Sequence, residues 1–452
     1  FLDAQILAAP LPEPELNPLE IPIEDPLIPQ VPRPLTPFEQ RKLREALNDL
    51  NAQAQGQLEA GNGDAAFDIW YRELRLRRVL GRIEEINALG RVGEIAWKQT
   101  RTEDVQIISK RLVTLQQLSE QEDPLSPELL IALANAYAKL HSLDNSIVIY
   151  QKVLKNARET QTPLTEKQAL QGLGKLYLAK FDYPKAATVY EELLGKAQTE
   201  QNTYEEGLYL QALAEIYTAS LQPENAANIK QKLVENYLSN QKIEFVPPLK
   251  IDIGKDYQAM DQPELASQNY QEAYALAWSL QLFGAAADAL INLGELYQTY
   301  EQEDYALQIY QNLLQVEQLS YNYYGLMNTY DKIGEIYLNK QQYQQALQAF
   351  QQGLVLARSI NYKQDHFLAQ LQKVNQGMQG GTETTPEVPE AVPEGVENIP
   401  EVPENVPEEV ENILENNTVE NEQDQFIRDN QLLEDGIRKI ENELNQLDNQ
   451  DN

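Results

Sequence analysis

A five-residue figure recurs through this chain at a fixed distance, and no other feature restricts the fold so strongly. Ile333-Gly334-Glu335-Ile336-Tyr337 is preceded at 40-residue steps by Leu293-Gly294-Glu295-Leu296-Tyr297 and Ile253-Gly254-Lys255-Asp256-Tyr257. Leu213-Ala214-Glu215-Ile216-Tyr217, Leu173-Gly174-Lys175-Leu176-Tyr177 and Leu133-Ala134-Asn135-Ala136-Tyr137 continue the series. Looser copies centre on Gly93, one residue out of step, and on Ala54. A constant period of this size is the mark of a stacked-repeat architecture in which each unit buries its apolar face only against its neighbours.

Each unit reads as a helical hairpin. A small residue falls on the first helix (Ala54, Gly93, Ala134, Gly174, Ala214, Gly254, Gly294, Gly334). Twelve residues on, another usually falls on the second (Ala66, Val105, Ser146, Ala186, Ala226, Ala266, Ala306, Ala346). Small side chains at both places let two helices approach, and a bulkier one would overpack at a cost of about 1–3 kcal/mol. Rings stand beside them: Tyr137, Tyr177, Tyr217, Tyr257, Tyr297 and Tyr337 on first helices, and Trp70, Tyr150, Tyr190, Tyr270, Tyr310 and Phe350 on second helices. Ser109 and Lys230 are the exceptions on second helices. Pro184, Pro223 and Pro263 open second helices, where a missing N–H does no harm. Thr36-Pro37-Phe38-Glu39 has the form of a capping box and predicts the first helix start.

Small–x2–Tyr followed by Ala and then an aromatic resembles the tetratricopeptide repeat (TPR) family over residues 38–360, about 70% of the chain. The resemblance implies an all-α, right-handed superhelical solenoid of about eight helical hairpins. The period of 40 rather than the family's 34 implies helices about three residues longer each. HEAT or armadillo arrays have a similar period, but the Gly/Ala–Tyr–Ala–Tyr figure argues against them. The second unit (Gly93, Val105, Ser109) lacks both aromatics and is the least regular.

The resemblance further implies a non-enzymatic interaction scaffold whose concave groove takes a peptide or helix of another protein. The first helix of each pair lines that groove three before and one or four after the small residue. Carried over, these positions include Gln171, Lys175, Gln211, Glu215, Lys255, Gln258, Glu295 and Gln298, with Trp97 in the comparable place in the second unit. Asp331 and Glu335 occupy the same two places in the last unit. The Lys/Asn carboxylate clamp of chaperone-binding members has no counterpart, since Ile131 stands where Asn135 would need its lysine.

Composition narrows the chemistry. There is no cysteine, hence no disulfide or zinc-thiolate site, and the two histidines, His141 and His366, are distant in sequence. No Walker loop or Ser/His/Asp motif is present, so neither an enzyme, a cofactor nor a metal is expected. A net charge of −34 argues against nucleic acid as a partner, and no stretch has the length and apolarity to insert in a membrane.

The charge is uneven. Residues 381–452 hold 21 acids against three bases, whereas residues 38–115 hold 13 bases against 12 acids. The arginines Arg72, Arg75, Arg77, Arg78 and Arg82 form the densest basic cluster. They suggest either a dock for an acidic segment, such as the chain's own tail, or simple pairing with Glu73, Glu84 and Glu85.

The ends differ from the repeats. Residues 1–9 read either as the remnant of a secretory signal, implying an extracytoplasmic location, or as a plain disordered start of a cytoplasmic chain. Residues 1–36 form a Pro-rich arm, with nine of the ten prolines of residues 10–37 inside it and Pro37 at the first helix start, extended by proline's fixed φ. That arm would lie along a partner or its own repeats, or act as a stiff spacer, and the spacer is the simpler expectation. Repeats and a cap helix fill 37–378. Residues 379–421 contain a 14-residue Pro/Glu duplication (Pro386–Ile399, Pro400–Ile413) that cannot fold alone. Residues 422–449 carry a heptad seam at Phe426, Asn430, Leu433, Ile437, Ile440, Leu444 and Leu447. Self-association through this helix into a homo-oligomer is the alternative to the adaptor reading.

Overall fold

A computed structural model describes residues 17–29, 33–121 and 126–380. The acidic duplication, the heptad segment and residues 1–9 lie outside the described residues, as do the expectations that rest on them. Seventeen α-helices and no strands are present among the described residues. They fall into two units, residues 17–189 and residues 190–380, with the division inside one helix.

In the first unit the helices are α1 (Pro37–Glu59), α2 (Gly63–Arg77), α3 (Arg82–Lys98), α4 (Thr102–Glu120), α5 (Pro127–Lys139), α6 (Leu143–Glu159) and α7 (Pro163–Ala179). The helix α8 (Tyr183–Thr199) carries the division. The second unit contains α9 (Thr203–Ala219), α10 (Pro223–Ser239), α11 (Val246–Ala259), α12 (Pro263–Ser279), α13 (Phe283–Thr299), α14 (Glu303–Leu319), α15 (Tyr323–Asn339), α16 (Tyr343–Ser359) and α17 (Gln364–Gly380). Within each unit, helices next in sequence pack on one another, and alternate first helices also touch, as α3 does α5 and α11 does α13.

The 40-residue period resolves into two equal halves. From α6 to α17 most helices have 17 residues and are joined to the next by a three-residue turn; a short 3-10 turn lengthens the α10–α11 junction to six residues, and the α16–α17 junction has four. Every such junction places its second residue in the left-handed region: His141, Gln161, Phe181, Gln201, Leu221, Gln241, Asp261, Gln281, Glu301, Tyr321, Gln341 and Asn361, all with φ between 52° and 61°. In the turn at His141, the His141 amide donates to the Ala138 carbonyl and the Ser142 amide to the Tyr137 carbonyl. This is the Schellman closure, which satisfies the last carbonyls of a helix. Glycine normally serves there, yet none of these twelve positions is glycine. Glycine composition therefore gave no sign of these turns.

The helix starts follow local chemistry. Thr36 Oγ1 accepts from the Glu39 amide while Glu39 accepts from the Thr36 amide at 2.8 Å, completing the expected capping box. Asn202 and Asn322 cap α9 and α15 through their side chains. Pro223 and Pro263 each stand in the first turn of their helices.

The proline arm departs from the spacer expectation over residues 17–29. Leu19 is 1% exposed, and Ile23, Leu27 and Ile28 pack against Leu43, Leu47, Leu50 and Leu76 of α1 and α2. Interleaved leucines and isoleucines give the arm an apolar side. That side meets the apolar face of the first hairpin. At the other end Phe367 and Val374 of α17 are fully buried against Phe350, Leu354 and Ala357.

Candidate functional site

The packing of small residues against rings defines the hairpins first. A Cβ added to Gly294 would lie 2.5 Å from Tyr310 Cε1, and one added to Gly334 would lie 2.6 Å from Phe350 Cε1. Tyr270 stands on Gly254 in the same way. Ala186, Ala226, Ala266, Ala306 and Ala346 have no exposed surface. Ser146 fits the same slot because its hydroxyl donates to the Ala134 carbonyl of the facing helix at 2.8 Å. Small residue, ring and buried alanine thus interlock inside the hairpins of Gly254, Gly294 and Gly334 at a 40-residue interval. The repeats are stacked helical hairpins, as the resemblance to tetratricopeptide repeats implies.

The exceptions to this pattern have their own physical reasons. Lys230 replaces a ring but is buried and ion-paired with Asp256 of α11 at 2.7 Å. In the second hairpin Gly90 and Gly93 open space for α5 rather than for their partner α4. A Cβ on Gly90 would come 3.0 Å from Ala136 Cα, and one on Gly93 would overlap the Leu140 side chain.

Of the expected groove residues, those one after the small position share a property: Lys175, Glu215, Lys255 and Glu295 are all exposed. Partial desolvation raises the Glu215 carboxyl above its ordinary range. Lys255 pairs with Asp252 on its own helix at 3.2 Å, and Glu295 receives Lys332 of α15 at 2.7 Å. The glutamines four after the small position are tied into the hairpins. Tyr270 donates to Gln258 Oε1 at 3.1 Å and Tyr310 to Gln298 Oε1 at 2.7 Å. Gln211 donates to the Tyr237 hydroxyl at 2.6 Å. Trp97, 48% exposed, stacks on His141 at 4.6 Å.

Gln171 and Lys175 line a cleft of about 310 Å³ together with Ile131, Asn135, Tyr150 and Gly172, between α5 and α7. Gly172 is necessary to it, because a Cβ there would meet Tyr150 Cζ at 2.5 Å. Burial pushes the Tyr150 phenol up to about 12, so it stays protonated and donates to Asn135 Oδ1 at 2.6 Å. Asn135 belongs to the exposed row but was not among the sequence-derived groove residues. Its place one after Ala134 was the available signal.

The arginine cluster is engaged within its own unit. Arg72 pairs with Asp25 at 2.7 Å and Arg75 donates to the Pro18 carbonyl at 2.5 Å, both on the N-terminal arm. Arg77 reaches Glu73 and Glu84, and Arg78 reaches Glu85 at 2.8 Å. Arg82 is also engaged. Beneath them Glu73, with no exposed surface, accepts two bonds from Arg91 at 2.7 and 2.8 Å.

No protein-family model matches the sequence, and neither does any curated protein. Among solved structures the chain is similar to BtubC (BKLC) from P. vanneervenii, at 19% identity and a TM-score of 0.33 over 56% of this chain and 97% of that one. It is also similar to the apo form of RapI, at 10% identity and a TM-score of 0.38 over 74% and 99%. A STAND protein with a tetratricopeptide repeat sensor from Pyrococcus horikoshii matches at 15% identity and a TM-score of 0.38, over 75% of this chain and 52% of that one. The helical-hairpin fold stands on the chain's own interlocked geometry rather than on these loose overlaps.

Proposed function

We propose that the chain is a protein-interaction scaffold, and that the cleft between α5 and α7 receives an extended segment of a partner protein. The observation that supports this reading is the lining of that cleft. Ile131 and the Tyr150 ring offer apolar contact, while the exposed Asn135 offers an amide N–H donor suited to a peptide carbonyl. Lys175 adds an exposed ammonium at its rim, which favours a segment carrying an acidic side chain at that place. Side chains of this kind fix orientation without chemistry, which is what an adaptor requires.

Selection of peptides from a displayed library against the full chain tests the reading. Selected peptides should carry an acidic residue, and Lys175→Glu should weaken them by at least about tenfold, the cost of one close charge reversal. Lys155→Glu on α6, where the side chain is 79% exposed, should leave them unchanged. If Lys175→Glu and Lys155→Glu behave alike for every selected peptide, the cleft is not the binding site.

A further inference from the structure

The last two first-helix positions bring together residues that the sequence separates. Asp331 and Glu335 lie one turn apart on α15 and therefore share a face, and His366 and Gln370 do the same on α17. His366 Nε2 stands 2.8 Å from both carboxylate oxygens of Asp331. Gln370 Nε2 reaches Glu335 Oε1 at 3.3 Å. One ligand atom each from Asp331, Glu335 and His366 lies within 4.8 Å of the others.

The repeat itself supplies a control for what packing asks at these places. Forty residues earlier, Asp331, His366 and Gln370 correspond to Ile291, Leu326 and Tyr330, and only Glu335 has an acidic counterpart, Glu295. Three of the four places thus carry apolar or aromatic residues in the preceding unit, so packing there does not require a ligating side chain. His366 does not face outward as a helix-capping polar residue would; it turns back onto α15. Nearby cations do not neutralise the cluster, since Lys332 is bound to Glu295 at 2.7 Å and Lys363 to Asn328 at 3.1 Å.

A second feature points to a missing partner. Gln370 is 6% exposed, and its Oε1 has no hydrogen-bond donor. A buried amide oxygen left in this state is costly.

We propose that Asp331, Glu335 and His366 form a binding site for a divalent first-row transition cation of the zinc type. One imidazole and two carboxylates are a ligand set zinc accepts, at about 2.0–2.2 Å per bond. The imidazole turns selectivity away from magnesium and calcium, which prefer all-oxygen sites. Two carboxylates balance the charge of the ion, and a small rotation of the exposed Glu335 closes the triangle. Three protein ligands leave a fourth position for water, and such a water is the donor that Gln370 Oε1 lacks. The bound ion would clamp α17 to α15.

The full chain, stripped of metal with a chelator, is titrated with Co²⁺ and then with Zn²⁺. One equivalent of Co²⁺ should give the intense visible absorption of a low-symmetry site, and Zn²⁺ should displace it. Because the chain has two histidines, ring resonances report the site directly: stoichiometric Zn²⁺ should shift those of His366 and leave those of His141. His366→Gln and Asp331→Asn should each weaken Zn²⁺ by at least about tenfold while the helical circular dichroism is retained. Loose binding by the histidine-free acidic tail would not move the His366 signal. An unmoved His366 resonance, or wild-type affinity in His366→Gln, overturns the proposal and leaves a hydrogen-bonded pair.

Discussion

Tyr310 rests its ring on the bare backbone of Gly294 and donates its hydroxyl to Gln298, one turn further along the same helix, at 2.7 Å. Tyr270 repeats both contacts with Gly254 and Gln258. One aromatic side chain therefore measures the spacing and the rotation of its hairpin at once. Any atom placed on the glycine displaces both the ring and its hydrogen bond.

Gly294→Ala should accordingly destabilise the second unit. Helix propensity favours alanine by about 1 kcal/mol, but overpacking a fully buried ring costs about 1–3 kcal/mol, and the lost hydrogen bond adds about 1 kcal/mol. The net expectation is a loss of about 1–3 kcal/mol in urea unfolding. Gly56→Ala in α1, where nothing lies within 4 Å of the added carbon, should move the other way by about 1 kcal/mol.

Leu221 is 87% exposed and held at φ 55°. The left-handed region costs a side-chain-bearing residue about 1–2 kcal/mol, while the unfolded-state entropy of glycine returns about 0.5–1 kcal/mol. Leu221→Gly should raise stability by about 0.5–1 kcal/mol, read as an upward shift of the melting temperature.

Glu317 of α14 has no exposed surface and lies against Gly325, with burial outweighing the opposing pull of the Thr329 hydroxyl on its carboxyl. Burial pushes its pKa up from 4.5 to about 7. Between those two values the folded chain holds a proton that the unfolded chain has released, so stability falls as pH rises through the window. Glu317→Gln removes the charge. It should match the wild type near pH 4.5 and exceed it above pH 7 by up to about 3 kcal/mol, measured as urea midpoints across pH.

Leu19→Ala removes the most buried contact of the N-terminal arm, at a cost of about 2–5 kcal/mol if the site were rigid. The arm should detach from α1 and α2 before the rest unfolds, seen as loss of amide protection confined to residues 17–29. Asp25, held charged below its ordinary range chiefly by the Arg72 hydrogen bond, contributes docking that is present above the ordinary aspartate pKa and lost as pH falls below it. Asp25→Asn should abolish that pH dependence.

Much of this architecture was legible in residue spacing. A 40-residue figure of glycine, alanine and tyrosine predicted hairpins, helix lengths and the interlock of ring and small residue, because each hairpin packs only on its neighbours. The capping box at Thr36 was equally local. The left-handed turns were not legible, since their closure needs only backbone bonds and glutamine, leucine and tyrosine serve where glycine would have signalled them. Nor was the buried carboxyl of Glu317, whose position on α14 looks like any solvated glutamate.

The expected groove residues divide along the same line. Exposure of Lys175, Glu215, Lys255 and Glu295 followed from register alone, because rotation about a helix is fixed by where its small residue packs. What only the tertiary structure decided was the partner each side chain found: Gln258 and Gln298 are tied to tyrosines, Arg72 and Arg75 to the proline arm, and Asp331 to a histidine 35 residues away. Periodicity determines which face a residue occupies. Which residue it meets across a helix interface depends on the packing of neighbouring elements, and a one-dimensional repeat does not carry that information.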